Sequence, residues 1–326
     1  MKIKNFSTAI SFLLILSFCI GCSFFATTFA PEKKAEISTT ELAISAKTKF
    51  WETLHGGKYE EIPNVSSLLK AAYLENSKDP ELAAYIGFLH IWRLSERSRL
   101  KQIPPEITDD AVLSRKYFGE AVSLDPSDAR YLGFHGILMM TEGTIHDDQY
   151  LIRKGYYQGL EAINQWPQFN LFTVGYVLGG NPKGSKRFEE AVEMMWKNVE
   201  VCADKAVDRN DPNFESLLPL RSIEKRSLYL RACWNSQIAP YNFQGFFLNF
   251  GDLLVKQGNG VAALHAYSIA KQHSDFNNWP YKEVLLRRIE QMEENKKRFQ
   301  KENLKQGEFN IMLRTPFSCM ACHQEA

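Results

Sequence analysis

The chain closes with Thr315-Pro-Phe-Ser-Cys319-Met-Ala-Cys322-His323-Gln-Glu-Ala326. Two thiols three residues apart share one side of a helical turn, and an imidazole follows directly. Cys-x-x-Cys-His is the attachment signature of c-type haem. The spacing has a mechanical cause: Cys319 and Cys322 reach the two vinyl groups of one porphyrin, and His323 brings a ring nitrogen under its iron. The expected cofactor is a single, covalently attached haem c, with His323 as the metal ligand. A Cys-x-x-Cys also serves as half of a zinc site or as a redox dithiol. The zinc site asks for a second Cys/His pair at ligand spacing, which the sequence lacks. The dithiol is at home at a helix start inside a strand–helix fold, and no such pattern stands here.

Over this motif alone the chain resembles the cytochromes c. In ordinary small cytochromes c the motif lies near the start, and later residues wrap the haem and supply the distal ligand, often a methionine. Here three residues follow His323, so cover and any sixth ligand must come from upstream, from a partner or from solvent. The upstream candidates are His55, His90, His135, His146, His265, His273, Met292 and Met312. His90 and His265 fall at packing positions, His146 and His273 in expected loops, and Met312 is close in sequence. A second strong ligand favours electron transfer, whereas an open position permits small-ligand binding or peroxide chemistry.

The other four cysteines are Cys19, Cys22, Cys202 and Cys233. The first of them end an export signal: Lys2 and Lys4, the apolar run Ala9 to Ile20, then Cys19-Ile20-Gly21-Cys22-Ser23. This resembles the lipobox of bacterial lipoproteins, which implies a signal peptide over 1–21, lipid attachment at Cys22 and a flexible tether over 22–45. Cleavage after Ala30 and an uncleaved anchor over Ala9 to Ala26 are the alternatives. All three put the rest of the chain outside the cytoplasm, periplasm-facing and in the first and last cases held to a membrane. With Cys22 lipidated and Cys319 and Cys322 on haem, Cys202 and Cys233 remain in an oxidising compartment. A disulfide between them is expected, with two buried thiols as the alternative.

The body must position this chemistry. The full chain is 44% hydrophobic, with 22 Phe, 13 Tyr and 6 Trp, which excludes disorder across its whole length. A net charge of +1 gives no footprint for nucleic acid. Gly179-Gly-Asn-Pro-Lys-Gly184-Ser-Lys186 has the wrong order for a phosphate loop, so no nucleotide is expected. Past residue 45 apolar residues recur at helical spacing, as in Phe188, Ala191, Val192, Met195, Trp196, Val199 and Cys202, with Ser185 as the N-cap. Asp79-Pro80-x-x-Ala83-x-Tyr85-Ile86-Gly87-Phe88 recurs as Asp125-Pro126-x-x-Ala129-x-Tyr131-Leu132-Gly133-Phe134. A third stretch reads Phe247-x-x-Phe250-Gly251-x-x-Leu254, Gly258, Ala263-x-x-x-Tyr267-x-x-Ala270.

These stretches resemble tetratricopeptide repeats (TPR), in which small residues let paired helices approach and aromatic residues fill the space around them. The resemblance implies an all-α, helical-repeat (TPR-like) solenoid over 46–280, with a charged helix and a haem-bearing tail over 281–326. A generic helical bundle is the plainer alternative. Residues 164–185 and 204–220 read as long connections, and 281–306 as one charged helix with a solvated face. The polar, aromatic stretch from Trp234 to Asn242 either lines a partner or haem surface or caps helices around Pro240. Repeat solenoids present surfaces suited to a redox or assembly protein partner. No catalytic residues are assigned, because no hydrolase motif is visible. Three functions stay open: a mono-haem electron carrier with a partner-docking body, an assembly scaffold with structural cysteines, and a haem sensor or peroxidase-type protein with an open iron site.

Overall fold

Thr40 begins the first helix by accepting a hydrogen bond from the Ala43 amide at 3.2 Å, and the apolar stripe Ala43, Ala46, Phe50, Leu54 carries it inward. The computed structural model describes residues 33–209, 230–299 and 319–325. The expected tether is therefore too long: α1 spans Glu41–His55, and Ser38 already donates its amide to Asp79 at 2.8 Å. Four apolar residues at helical spacing outweigh the polar residues around them. Cys22 lies outside the described residues.

Twelve helices follow: α2 Ile62–Glu75, α3 Pro80–Ser95, α4 Asp109–Leu124, α5 Ala129–His146, α6 Gln149–Gln165, α7 Pro167–Leu178, α8 Lys186–Ala203, α9 Asn242–Gln257, α10 Gly260–Gln272, α11 Lys282–Glu290, α12 Met292–Phe299 and α13 Met320–His323. No strand occurs among the described residues, so the fold is all-α. Caps fix many of the starts. Asp79 accepts from the Glu81 and Leu82 amides, Asp128 from Arg130, Asp148 from Leu151, and Ser185 from Phe188 as its position suggested.

Two expectations change here. The stretch 164–185 is not a long connection, because Pro167 opens α7 instead of breaking a helix. Proline is well suited to a first turn, where its missing N–H costs nothing. The charged helix is also interrupted, at Gln291, between α11 and α12.

From α1 to α8 each helix packs on the next, as short connections between helices favour. The tightest pair is α5–α6, where a side chain on Gly136 would meet the Gly155 carbonyl and the Gly159 amide at 2.9 Å. Rings link alternate helices in turn: Phe50 of α1 with Tyr85 of α3, Phe88 of α3 with Phe134 of α5, Phe134 with Phe169 of α7, and Phe172 of α7 with Phe246 of α9. Phe88 and Phe134 are the same position of the repeated sequence. Together these rings form one wall of a cavity of about 1340 Å³. Three apolar clusters are buried among the described residues: one around α1–α3, a larger one running from α3 to α13, and a small one of Leu94, Ile107 and Ala111. No helix among the described residues is long and apolar enough to cross a membrane.

Candidate cofactor-attachment site

Cys319 stands at the N-terminal edge of α13, a single turn closed by the Cys322 and His323 amides, each 3.2 Å from the Cys319 carbonyl. Such a turn has almost no stability alone, so tertiary contacts must hold it. Residues 319–325 are accordingly not a tail but a docked segment, which corrects the expectation from sequence. Met320 and Ala321 are fully buried, Met320 in the cluster around α1–α3 and Ala321 in the larger one. Cys319, Cys322 and His323 face the other way and line the cavity. The alternation follows from helical geometry: residues 319, 322 and 323 share a face that 320 and 321 do not.

Partners distant in sequence hold the turn at both ends. Glu96, fully buried after the end of α3, accepts the Cys319 amide at 3.1 Å and the Met320 amide at 3.3 Å. It also accepts from the Trp92 indole at 3.0 Å and pairs with Arg99 at 2.8 Å. Burial raises its pKa, and Arg99 is the strongest opposing influence. At the other end, the Ala321 carbonyl accepts from the buried Trp279 indole at 2.9 Å and the Cys322 carbonyl from the Tyr241 amide at 3.0 Å. Gln324 accepts from the Tyr281 hydroxyl at 2.9 Å, and the Glu325 amide donates to the carbonyl of His55 at 2.8 Å, which ties the chain end to α1.

His323 Nδ1 lies 2.8 Å from the Ile238 carbonyl. A carbonyl only accepts, so Nδ1 carries the proton and Nε2 keeps its lone pair. Burial lowers the pKa of this imidazole and keeps it neutral, the form that binds a metal. Outer partners of this kind orient ligating histidines in metalloproteins generally. Cys319 and Cys322 are both thiols, outside any disulfide. Burial, then the charge of Cys319, pushes the Cys322 thiol up to about 12. Cys319 Sγ sits 4.0 Å from the Ser95 hydroxyl. The donor set, the shared face and the adjoining cavity therefore fit a haem of the c type. No group of three or more His, Cys, Asp or Glu among the described residues is arranged to hold a metal ion by itself.

The stretch from Trp234 to Asn242 caps a helix and contributes to the cavity wall. Asn235 caps α9 through the Phe243 amide at 2.9 Å, while Ile238 and Tyr241 hold α13 and Trp234 and Asn242 line the cavity. Cys202 and Cys233 are joined in a disulfide, with their Cα atoms 5.6 Å apart, and both also line the cavity.

The upstream ligand candidates are scattered. His55 shares the Ile238 carbonyl at 3.1 Å, His90 is buried against Asp110 at 2.7 Å, and His135 accepts from Gln158 at 2.9 Å. His273 lies against Gln244, and Met292 packs near Gly260. None of these, nor His146 or His265, lines the cavity. Met312 lies outside the described residues. The thioether on the described wall is that of Met140, which the sequence offered only as one more apolar residue of α5. Glu96, Ile238 and Trp279 were equally hidden, because carboxylates, carbonyls and indoles carry no spacing signature. No family model, characterised protein or solved structure matches this chain.

Proposed function

We propose that the chain is an exported protein, anchored to a membrane through lipid on Cys22, that carries one covalent haem c and transfers electrons. Its TPR-like helical-repeat body docks a redox or assembly partner. The observation that carries this reading is the joint orientation of Cys319, Cys322 and His323 toward one large aromatic-walled cavity, with His323 Nδ1 engaged by Ile238. When bound, the haem supplies one-electron chemistry at its iron. The Cys319 and Cys322 thiols would each add across a vinyl group, forming a carbon–sulfur bond while the thiol hydrogen passes to the neighbouring carbon. His323 would offer Nε2 to the iron, held in orientation by Ile238. Glu96 and Trp279 keep the turn in place, and the ring-lined wall excludes water, a lever on redox potential. The repeat reading is supported by the packing of each helix on the next from α1 to α8 and by the matching places of Phe88 and Phe134.

A second reading, an iron with an open sixth position that binds small ligands, is favoured by the wall itself, where no upstream histidine candidate faces the cavity among the described residues. One experiment separates these readings. The chain is produced with a c-type maturation system and a denaturing gel is stained for covalent haem. Stain in the wild type and none in Cys319→Ala or Cys322→Ala is expected. An unstained wild-type band, with maturation verified on a control cytochrome, overturns both haem readings and leaves the assembly scaffold. A low-spin spectrum unchanged by carbon monoxide or cyanide selects electron transfer, and rapid ligand binding selects the second reading.

A further inference from the structure

The cavity wall is more basic than the chain as a whole. Among the described residues Arg97, Arg130, Arg153 and Arg187 line it against one carboxylate, Glu81, in a protein of net charge +1. Arg130 is paired with Asp128 and Arg187 with Glu190 at 2.7 Å. Arg97 donates to the Leu94 carbonyl at 2.9 Å, and neither Arg97 nor Arg153 has an acidic partner among the described residues. Arg187 also lies 3.4 Å above the ring of Tyr156, another wall residue, which fixes the plane of its guanidinium. Arg97 follows the end of α3, while Arg153 and Arg187 stand in the first turns of α6 and α8. All three arginines stand near helix ends and line the one cavity.

We infer that this cavity is a binding site for an amphipathic carboxylate, its apolar body among the aromatic rings and its carboxylate on Arg97, Arg153 and Arg187. A small inorganic anion would leave the apolar wall uncovered. A neutral hydrocarbon would leave Arg97 and Arg153, which have no acidic partner among the described residues, without a counter-charge. The volume of about 1340 Å³ exceeds the 300–1,000 Å³ of an ordinary small-molecule pocket, so the ligand is large. Two sources carry this chemistry: the propionates of a haem on Cys319 and Cys322, and a free long-chain or aromatic carboxylate. The inference stands on the cavity and its charges and holds whether or not haem is attached.

The test uses cis-parinarate, a fluorescent fatty acid, with the full chain in haem-loaded and haem-free (Cys319→Ala/Cys322→Ala) forms. Wild-type chain made without the maturation system serves if the double variant does not fold. The haem-free chain is expected to bind the probe saturably and to release it to dodecanoate at least about tenfold more readily than to dodecanol. Arg153→Gln and Arg187→Gln should each weaken binding by about tenfold, and added salt should weaken it further. Exclusion of the probe from the haem-loaded form identifies the propionates as the occupant, and retained binding identifies a free carboxylate. Absence of binding to a folded haem-free chain, equal competition by dodecanol, or full affinity in the arginine variants overturns the inference.

Discussion

Glu96 is wholly desolvated, and four donors converge on it from Trp92, Arg99, Cys319 and Met320. Because Cys319 and Met320 are two of them, the carboxylate decides where the first thiol stands. Glu96→Ala should cost about 3 kcal/mol in a urea titration, since it strands buried donors. Glu96→Gln, which keeps one acceptor oxygen, should cost less, and haem stain should fall in the same order. Gly245 is the complementary steric case. A Cβ there would overlap Cys322 Sγ and approach the Ala321 carbonyl to 2.8 Å. Gly245→Ala is therefore expected to displace α13, losing covalent haem and exposing the C-terminus to proteolysis while the helical circular dichroism persists. Neither residue announces itself in sequence. Glu96 reads as one charge among many, and Gly245 as a glycine in a helical stretch.

The elements were unequally legible. The α8 stripe and its Ser185 cap are written in consecutive residues, because a helix start is satisfied locally. The α7 helix was hidden by Pro167 and by the glycines after Leu178, which look like breakers but stand at its two ends. The one-turn α13 could not be inferred at all, since its stability comes from Glu96, Trp279 and Tyr241. The disulfide acts at the same scale, tying the end of α8 to the segment that leads into α9 across a separation of 31 residues. Cys202→Ser/Cys233→Ser should lower unfolding free energy by about 2–4 kcal/mol, read as a shift in the urea midpoint relative to the oxidised wild type.

For the whole molecule, pH dependence reports on buried titratable groups outside the Cys-x-x-Cys-His motif. Burial lowers the pKa of His135 from 6.5 to about 4. Gln158 donates to its Nδ1, so the ring is held neutral. A folded pKa below the unfolded one means that this contribution is present above pH 6.5 and disappears as pH falls toward 4. Asp252 behaves oppositely. Burial raises its carboxyl from 3.8 to about 6 despite Arg288 and the Tyr267 hydroxyl at 2.6 Å, so its contribution is present below pH 3.8 and is lost as pH rises through 6. Between pH 6.5 and 4 the two slopes oppose each other. In urea titrations at pH 7, 6 and 5, His135→Gln should remove acid-side destabilisation, and an unchanged slope would contradict the assignment.

What the sequence determined by itself is what neighbouring residues decide among themselves: a helical fold class, the Ser185 cap, and two thiols with an imidazole at haem-attachment spacing. Helical period, capping and motif spacing all act within a few residues, so they can be read in one dimension. Tertiary structure alone decided that this motif is docked and not trailing, that Ile238 orients His323, and that side chains of α1, α3 and α5 to α9 meet around an arginine-bearing cavity. Those facts join residues up to 224 positions apart. Such contacts arise from packing, which brings a carboxylate, a carbonyl and a glycine together without any period that would mark them beforehand.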